Sequence, residues 1–205
     1  MSRPGKLTRS FYARPVLQVA RDCLGKILVH QCRRGTTSGR IVEAEAYRGP
    51  EDRAAHSWRG HPTPRTRAMF GPPGHAYVFF VYGMHWHFNL VTGKEGDPHA
   101  VLIRAVEPLE GLDLMATRRG VAKDRVELTN GPGKLCQALG IDREQYGADL
   151  CGDRIYLLDA PRSRSRRTPR IGVDYAGAWA LEPWRFFEPE NRYVSPVRDW
   201  RGARG

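Results

Sequence analysis

Glu43, Glu45 and Tyr47 alternate along the segment IVEAEAY, residues 41–47. Successive side chains of a β-strand point to opposite faces, so these three share one face and the intervening apolar residues pack on the other. Acidic residues are poor strand formers, and two of them beside an aromatic ring on one face indicate a site. The alternative is an exposed strand face that carries two solvated glutamates.

Two kinds of chemistry fit this face. A carboxylate against an aromatic wall could act as a general base that activates water, because desolvation raises its affinity for a proton. Two carboxylates could instead bind Mg²⁺, as in a nuclease, with Glu51 or Asp52 as further ligands. The spacing alone does not separate the two.

A second candidate region is YVFFVYGMHWHFNLV, residues 77–91, which is dense in aromatic and β-branched residues. It predicts strands over 77–82 and 84–91 around Gly83. Tyr82 and Met84 would then lie at the tip of a hairpin, where they could enter a DNA minor groove and unstack a base step. The alternative is that both are core residues beneath a loop.

His85, His87 and Asn89 fall on one face of the second strand, and His56 lies in a polar segment. Zinc usually takes three or four ligands, and no cysteine or further histidine stands at a supporting spacing. The four cysteines form no CxxC pair. We therefore expect no metal site and reduced thiols.

The elements that would hold these residues follow from periodicity. A helix is predicted over 15–24, ending at Gly25, and strands over 26–31 and 39–47 are joined by the turn RRGTTS. A strand at 100–106 and helices at 108–119 and 133–139 follow, the last closed by Gly140. The result is a single α+β domain, residues 1–205, with a mainly antiparallel sheet.

Charge and composition narrow the class of protein. Lys and Arg number 33 against 22 Asp and Glu, a net charge of +11, while 40% of residues are apolar and 10% aromatic. This is typical of a globular protein with a polyanionic partner, not of a disordered basic tail. No apolar run is long enough for a membrane span or a signal core, so a cytoplasmic protein is expected.

Basic residues that could contact phosphates are Arg65 and Arg67 in TPRTRAMF and Lys134 at a predicted helix start. The stretch 161–170 has five arginines and is predicted to be an exposed basic loop. Residues 1–9 and 197–205 are expected to be frayed termini.

Seven collinear segments resemble the alkyladenine (3-methyladenine) DNA glycosylase family and cover about residues 10–196. They are GRIVEAEAY, GPEDRAAHS, TPRTRAMF, YVFFVYGM, VLIRAVEPLEG, NGPGKLCQALGI and IGVDYAGAWA. The resemblance implies a curved, mainly antiparallel sheet with packed helices and a protruding hairpin that inserts into the minor groove. It also implies a cytoplasmic, nucleoid-associated monomer that binds damaged double-stranded DNA and needs no cofactor or metal.

The resemblance assigns the chemistry to Glu45, as the base that activates water, and to Arg104, which helps to hold that water. Glu43 falls outside the catalytic role. The pocket for the damaged base is implied to consist of Tyr47, His56, Phe79 and Asn89. Phe79 stands where the family often has tyrosine, so base preference could differ.

The same resemblance implies that Tyr82 fills the gap left by the flipped nucleotide, with Met84 beside it. The other implied DNA contacts are Thr63, Arg65, Met69 and Lys134. The implied activity is monofunctional hydrolysis of the N-glycosidic bond of 3-methyladenine or 7-methylguanine, extending to hypoxanthine or ethenoadenine, and no pocket lysine is placed to form a Schiff base. A metal-dependent nuclease and a noncatalytic DNA-binding module are the alternatives.

Overall fold

Strand β2 (Gly35–Arg48) is the longest strand and carries the two glutamates of interest. In the computed structural model, which describes residues 5–196, it pairs antiparallel with β1 (Ile27–Cys32) and β5 (His99–Glu110). Both faces of β2 are covered around the glutamates, since residues 41–46 are all buried.

The remaining elements complete a curled antiparallel sheet with helices packed on it. The other strands are β3 (Ala76–Val81), β4 (His85–Thr92), β6 (Ile155–Leu158), β7 (Arg166–Thr168) and β8 (Arg185–Phe187). The sheet order is β3-β4-β5-β2-β1-β6, and β8 pairs with both β2 and β7. The helices are α1 (Arg9–Tyr12), α2 (Val16–Asp22), α3 (Leu112–Arg119) and α4 (Pro132–Leu139), with short 3₁₀ turns at Arg67–Phe70, Val126–Leu128, Arg143–Gln145 and Asp174–Leu181.

Helices α2 and α4 bury one stripe each against the same face of the sheet. Val16, Val19, Ala20 and Cys23 recur at helical spacing in and just after α2, and all four are buried. Helix α4 begins with Pro132 at its first position and ends at Gly140, whose φ of 73° is in the left-handed region. On the opposite face, side chains such as Tyr77, Asn89 and Arg104 line a cavity.

The alternation along β2 is interrupted beside Glu43. Pairing with β5 shifts register between Ile41 and Glu43 and again between Glu43 and Ala44. Ala44 and Ala46 pack in the main core as expected, but Ile41 joins them there and the buried Val42 does not. The irregularity brings Glu43 opposite Ala105, next to Arg104.

The β3–β4 hairpin leaves the sheet partway along its length. Pairing of β4 with β5 ends at Asn89 and Leu102, whereas β3 and β4 stay paired out to Val81 and His85. The outer half of the hairpin therefore extends beyond β5.

The single α+β domain with a curved antiparallel sheet is confirmed. Helix 108–119 starts later than predicted, because β5 continues to Glu110 through its pairing with Ser38. The turn after β1 is shorter than predicted, since β2 already begins at Gly35. Helix α1 and strands β6–β8 were not predicted, as each is too short to show a period.

Residues 6–9, expected to be frayed, are held in place. Lys6 forms an isolated bridge with Leu158, and the Leu7 amide donates to the Leu157 carbonyl at 2.8 Å. Residues 1–4 and 197–205, also expected to be frayed, lie outside the described residues. No helix within residues 5–196 has the length and apolar character to cross a membrane.

The stretch 161–170 is exposed over most of its length but is not simply a loop. It contains β7, which pairs with β8, and it ends in Arg170, whose side chain is fully buried. The prediction of an exposed basic loop is wrong at Arg170, because a buried carboxylate, that of Asp52, compensates its charge.

Candidate active site

A cavity of about 570 Å³ opens on the face of the sheet opposite α2. Its walls come from the β3–β4 hairpin, the middle of β5, the start of α4 and residues 171–175. The volume is typical of a small-molecule site, roughly 300–1,000 Å³. Of the site residues expected from the sequence, Tyr47, His56, Met69, Phe79, Tyr82, Asn89, Arg104 and Lys134 line it.

Glu45 lies immediately beneath the floor of this cavity and is completely buried. Its Oε1 accepts from the Ile171 amide at 2.8 Å, and its Oε2 accepts from the Tyr47 hydroxyl at 2.8 Å and from Arg104 Nη1 at 3.2 Å. These three partner residues line the cavity themselves. All three partners are donors, so the site is built for an ionised carboxylate.

Arg104 connects Glu45 to Glu43. Its Nε donates to Glu43 Oε1 at 3.0 Å, while Nη1 reaches Glu45. Burial alone would lower the pKa of Arg104, but the charges of Glu45 and Glu43 outweigh it and hold that pKa above its usual value. Arg104 therefore keeps its charge at the cavity floor.

Glu43 does not reach the cavity. Besides Arg104, it accepts from Arg185 Nε at 2.6 Å and from the Ser195 amide at 2.7 Å, and it is fully buried. The two glutamates expected on one face thus differ in role: Glu43 anchors two arginines, and Glu45 supports the floor.

Tyr47 is supported from behind by Arg170. The Arg170 guanidinium lies 4.8 Å from the centroid of the Tyr47 ring and does not line the cavity. It donates to both carboxylate oxygens of Asp52 and to the Ala46 carbonyl. Burial, and then the charge of Glu45, holds the pKa of the Tyr47 hydroxyl well above its usual range, so this group remains a neutral donor.

The opposite wall is aromatic and uncharged. His56 packs edge-on against Phe79 with ring centroids 4.4 Å apart, and its Nδ1 lies 2.9 Å from the Tyr77 hydroxyl. His56 is open to the cavity but enclosed by neighbours, and desolvation followed by the charge of Arg65 lowers its pKa to about 4. Desolvation likewise lowers the pKa of His87 to about 4. Both imidazoles are neutral at neutral pH.

Asn89 is buried at the back of the cavity, where its Nδ2 donates to the Tyr77 carbonyl at 3.0 Å. This bond orients the side-chain amide, so its oxygen is fixed as the remaining acceptor. The Asn89 side chain is therefore held in one orientation before a ligand enters the cavity.

The hairpin tip beside the cavity is exposed. Tyr82 is 82% exposed and Met84 is 67% exposed. Tyr82 and Gly83 have φ of 53° and 67°, and the Met84 amide donates to the Val81 carbonyl, as in the turns that close tight hairpins. A bulky residue with positive φ is uncommon and is typical of functional sites.

The expected DNA contacts divide into surface and interior residues. Thr63 and Arg65 are exposed, and Lys134 lies at the cavity edge, where its Nζ donates to Asn130. Met69 is only 1% exposed and packs with Tyr77 beneath the cavity. The 3₁₀ turn Arg67–Phe70 points this side chain inward, so the expected contact of Met69 with DNA stays a prediction and would be made from the cavity wall.

Three contributors to the site were not predicted: Arg170, Ile171 and Tyr77. The family resemblance includes the segment IGVDYAGAWA, but a contribution through the backbone amide of Ile171 leaves no trace in residue type. The sequence places Arg170 in the basic stretch and does not reveal its partner Asp52, which is 118 residues away along the chain. Tyr77 shares the face of Phe79 in β3 and could have been found by alternation.

The acidic residues near the site do not converge. Glu51 pairs with Arg48 and Asp52 with Arg170, while Glu43 and Glu45 share Arg104. Within residues 5–196, no group of three His, Cys, Asp or Glu side chains is arranged to hold a metal ion.

The chain is similar to known proteins over nearly its full length. The family model described as Methylpurine-DNA glycosylase (MPG) matches residues 10–192. A relative from Desulfitobacterium hafniense is 52% identical over 199 residues, covering 93% of this chain and 98% of its own length. One from Methanocella arvoryzae is 52% identical over 191 residues, covering 92% and 95%. Both are named, provisionally, 3-methyladenine DNA glycosylase. On these matches, the chain belongs to the methylpurine-DNA glycosylase family.

Proposed function

We propose that this protein excises alkylated purines from duplex DNA by hydrolysing the N-glycosidic bond, with 3-methyladenine and 7-methylguanine as the first substrates and hypoxanthine and ethenoadenine as further ones. Membership of the family makes it a monofunctional N-glycosyl hydrolase of DNA repair. The proposed substrates and reaction rest on one observation: the buried Glu45 carboxylate is held by Tyr47 and Arg104 at the floor of an aromatic cavity.

The cavity would receive the base after it is flipped out of the duplex. Chemistry on a paired base requires extrusion, which costs a few kcal/mol and least for a damaged base. Tyr47, Phe79 and the neutral His56 offer stacking surfaces, and N3- or N7-alkylated purines are cations that such rings attract. Burying a cation beside neutral imidazoles avoids like-charge repulsion.

Glu45 has the capacity to take a proton from water. An ionised carboxylate has about four acceptor positions, and three are occupied, one on Oε1 and two on Oε2. The remaining position on Oε1 would accept the proton of a water held beside Arg104. The water oxygen then bonds to C1′ of the sugar as the C1′–N bond breaks, the electron pair leaves with the base, and an abasic site remains.

The exposed tip and basic residues would hold the DNA. Tyr82 and Met84 would enter the minor groove and occupy the space of the flipped nucleotide, while Thr63, Arg65 and Lys134 contact the backbone. All of these residues come from one chain, so we infer that the protein acts as a monomer, in the cytoplasm on nucleoid DNA.

A panel of duplexes, each with one 3-methyladenine, 7-methylguanine, hypoxanthine or ethenoadenine, tests the proposal under single-turnover conditions with a chelator present. We expect released base, and strand breaks only after alkali. Release of no base from any lesion contradicts the proposal. Breaks that need Mg²⁺ and no alkali would indicate the nuclease, and tight binding of damaged and undamaged DNA without release would indicate a binding module.

A further inference from the structure

A second cavity, of about 500 Å³, lies on the other side of Phe79 from the base pocket, along the outer edge of β3. We call it the edge groove and define it by Arg65, Arg67, Phe80, Trp86, Arg143 and Tyr146. Beyond Ala76, whose amide and carbonyl bond to Ala148 and Gly147, no other strand of the described part of the chain covers this edge of β3. The groove is therefore open.

The floor of the edge groove is an aromatic pair, of which Phe80 is exposed and Trp86 is half-buried against the main core. Phe80 and Trp86 are cross-strand partners in the hairpin, with ring centroids 4.7 Å apart. Phe80 is 44% exposed, an unusual cost for a large apolar side chain. Both point away from the base pocket, since neither lines it. Binding of a base in the base pocket therefore does not explain why Phe80 is exposed.

The rim of the groove is positively charged. Arg65, Arg67 and Arg143 are exposed, and none forms an ion pair within residues 5–196. Most buried and half-buried arginines here do have a carboxylate partner, for example Arg104 and Arg170. Three uncompensated guanidinium groups around one groove favour an anionic occupant.

The arginine-bearing loop is held in a fixed position. The Tyr146 hydroxyl accepts from the Ala68 amide at 3.0 Å and lies 3.3 Å from the Pro64 carbonyl, to which it donates. Thr63 and Thr66 bond to each other through side chains and backbone. The groove is thus formed before any ligand arrives, which lowers the entropic cost of binding.

We propose that the edge groove binds an unpaired nucleotide of the DNA, with its base on Phe80 and Trp86 and its phosphates on Arg65, Arg67 and Arg143. Aromatic platforms inside a basic groove are the general means of holding single strands without reading sequence. The proposal rests on the proposed function in that it takes DNA as the ligand. Because Phe79 borders both cavities, the nucleotide bound here would be near the flipped one.

Binding of a fluorescent single-stranded oligothymidylate of about 12 nucleotides, within the usual range of site sizes, tests this proposal. The full-length protein is compared with Phe80→Ser and Arg143→Gln, and an undamaged duplex of equal length serves as the second ligand. The matched controls are Leu181→Ser, an exposed apolar residue elsewhere, and Arg33→Gln, an exposed arginine in the β1–β2 turn.

We expect each groove variant to weaken single-strand binding by about fivefold or more, with little change for duplex and none for the controls. A Trp86→Phe variant should lose part of the quenching of tryptophan fluorescence caused by the oligonucleotide. Groove variants that bind the single strand as well as wild type, or displacement of the strand by polyglutamate of equal charge, would overturn the proposal.

The lesion panel separates this result from the function itself. If Phe80→Ser loses single-strand binding while wild type excises no lesion, only the excision proposal fails. If wild type excises lesions but the groove variants are unchanged, only the edge groove proposal fails.

Discussion

His56 and His87 show what desolvation does to single side chains in the cavity. Both have pKa values of about 4 in the folded protein, against 6.5 for free histidine. Between pH 6.5 and 4 the unfolded chain therefore binds more protons than the folded one, so the free energy of unfolding falls as the pH is lowered through this window. Above pH 6.5 these two residues contribute no pH dependence.

Urea unfolding at several pH values checks this. We expect a shallower loss of stability between pH 6.5 and 4 in His56→Gln and His87→Gln than in wild type, whereas the same exchange at His61, an exposed loop histidine, should keep the wild-type slope. Equal slopes in all four proteins would mean that neither cavity histidine has a depressed pKa.

Arg170 ties the floor of the cavity to the surrounding segments, because it donates to the Ala46 carbonyl, to Asp52 and to the Trp179 carbonyl. Arg170→Lys keeps the charge but loses the planar pair of hydrogen bonds to Asp52 and the support of the Tyr47 ring. We expect a loss of about 1–3 kcal/mol in the free energy of unfolding and slower excision of the bound lesion. Unfolding and single-turnover assays measure both, and an unchanged excision rate would show that Tyr47 and Glu45 do not need this support.

The tip of the β3–β4 hairpin has a conformation that lowers the stability of the folded protein. It exposes two large apolar side chains and places Tyr82 at positive φ, which costs about 1 kcal/mol for a residue of this kind. Asparagine tolerates this conformation. We expect Tyr82→Asn to leave the free energy of unfolding unchanged or raised by up to about 1 kcal/mol.

The same variant should lose preference for damaged over undamaged duplex, as should Tyr82→Ala. Competition binding with the two duplexes measures this preference. If Tyr82→Asn discriminates as well as wild type, the tip does not occupy the space of the flipped nucleotide.

The elements also show which parts of the fold can be read from sequence. Strands β2 to β5 and helices α2 and α4 have a clear period with glycine or proline at their ends, and the structure confirms them. Strand β7 has three residues, and its position depends on pairing with β8, from which 16 residues of the chain separate it. Residues 108–110 continue β5 because β2 is long enough to pair with them, which local propensity does not reveal.

In the site, residue type and alternation predict that Glu43, Glu45 and Tyr47 lie together, but they do not distinguish the two glutamates. The contacts of Glu43 with Arg185 and the Ser195 amide distinguish them, and both partners are about 150 residues from Glu43. The interior position of Met69 depends on a short 3₁₀ turn. The long-range contacts of Glu43 cannot be read from a local sequence pattern.

Over the whole molecule, the net charge of +11 lies outside the buried ion pairs, because the buried arginines there are balanced by Glu43, Glu45 and Asp52. Arg104, Arg170 and Arg185 are buried in ion pairs, so the charge available to DNA lies on exposed residues such as Arg65, Arg67 and Arg143. Each phosphate contact lowers the slope of log K against log salt by about 0.9. We expect Arg65→Gln to make the slope for duplex binding less negative by about this amount, and an unchanged slope would remove Arg65 from the backbone contacts.

In the proposed function, Glu45 performs the chemistry and Glu43 maintains the structure. Single-turnover excision of a lesion from duplex DNA by Glu45→Gln and Glu43→Gln tests it most directly, with unfolding and DNA binding measured on the same samples. We expect Glu45→Gln to bind the damaged duplex but to react at least about 100-fold more slowly. Glu43→Gln should lose roughly 3 kcal/mol of stability while its folded fraction keeps most of the rate. Excision at the wild-type rate by folded Glu45→Gln would show that Glu45 is not the base that activates water.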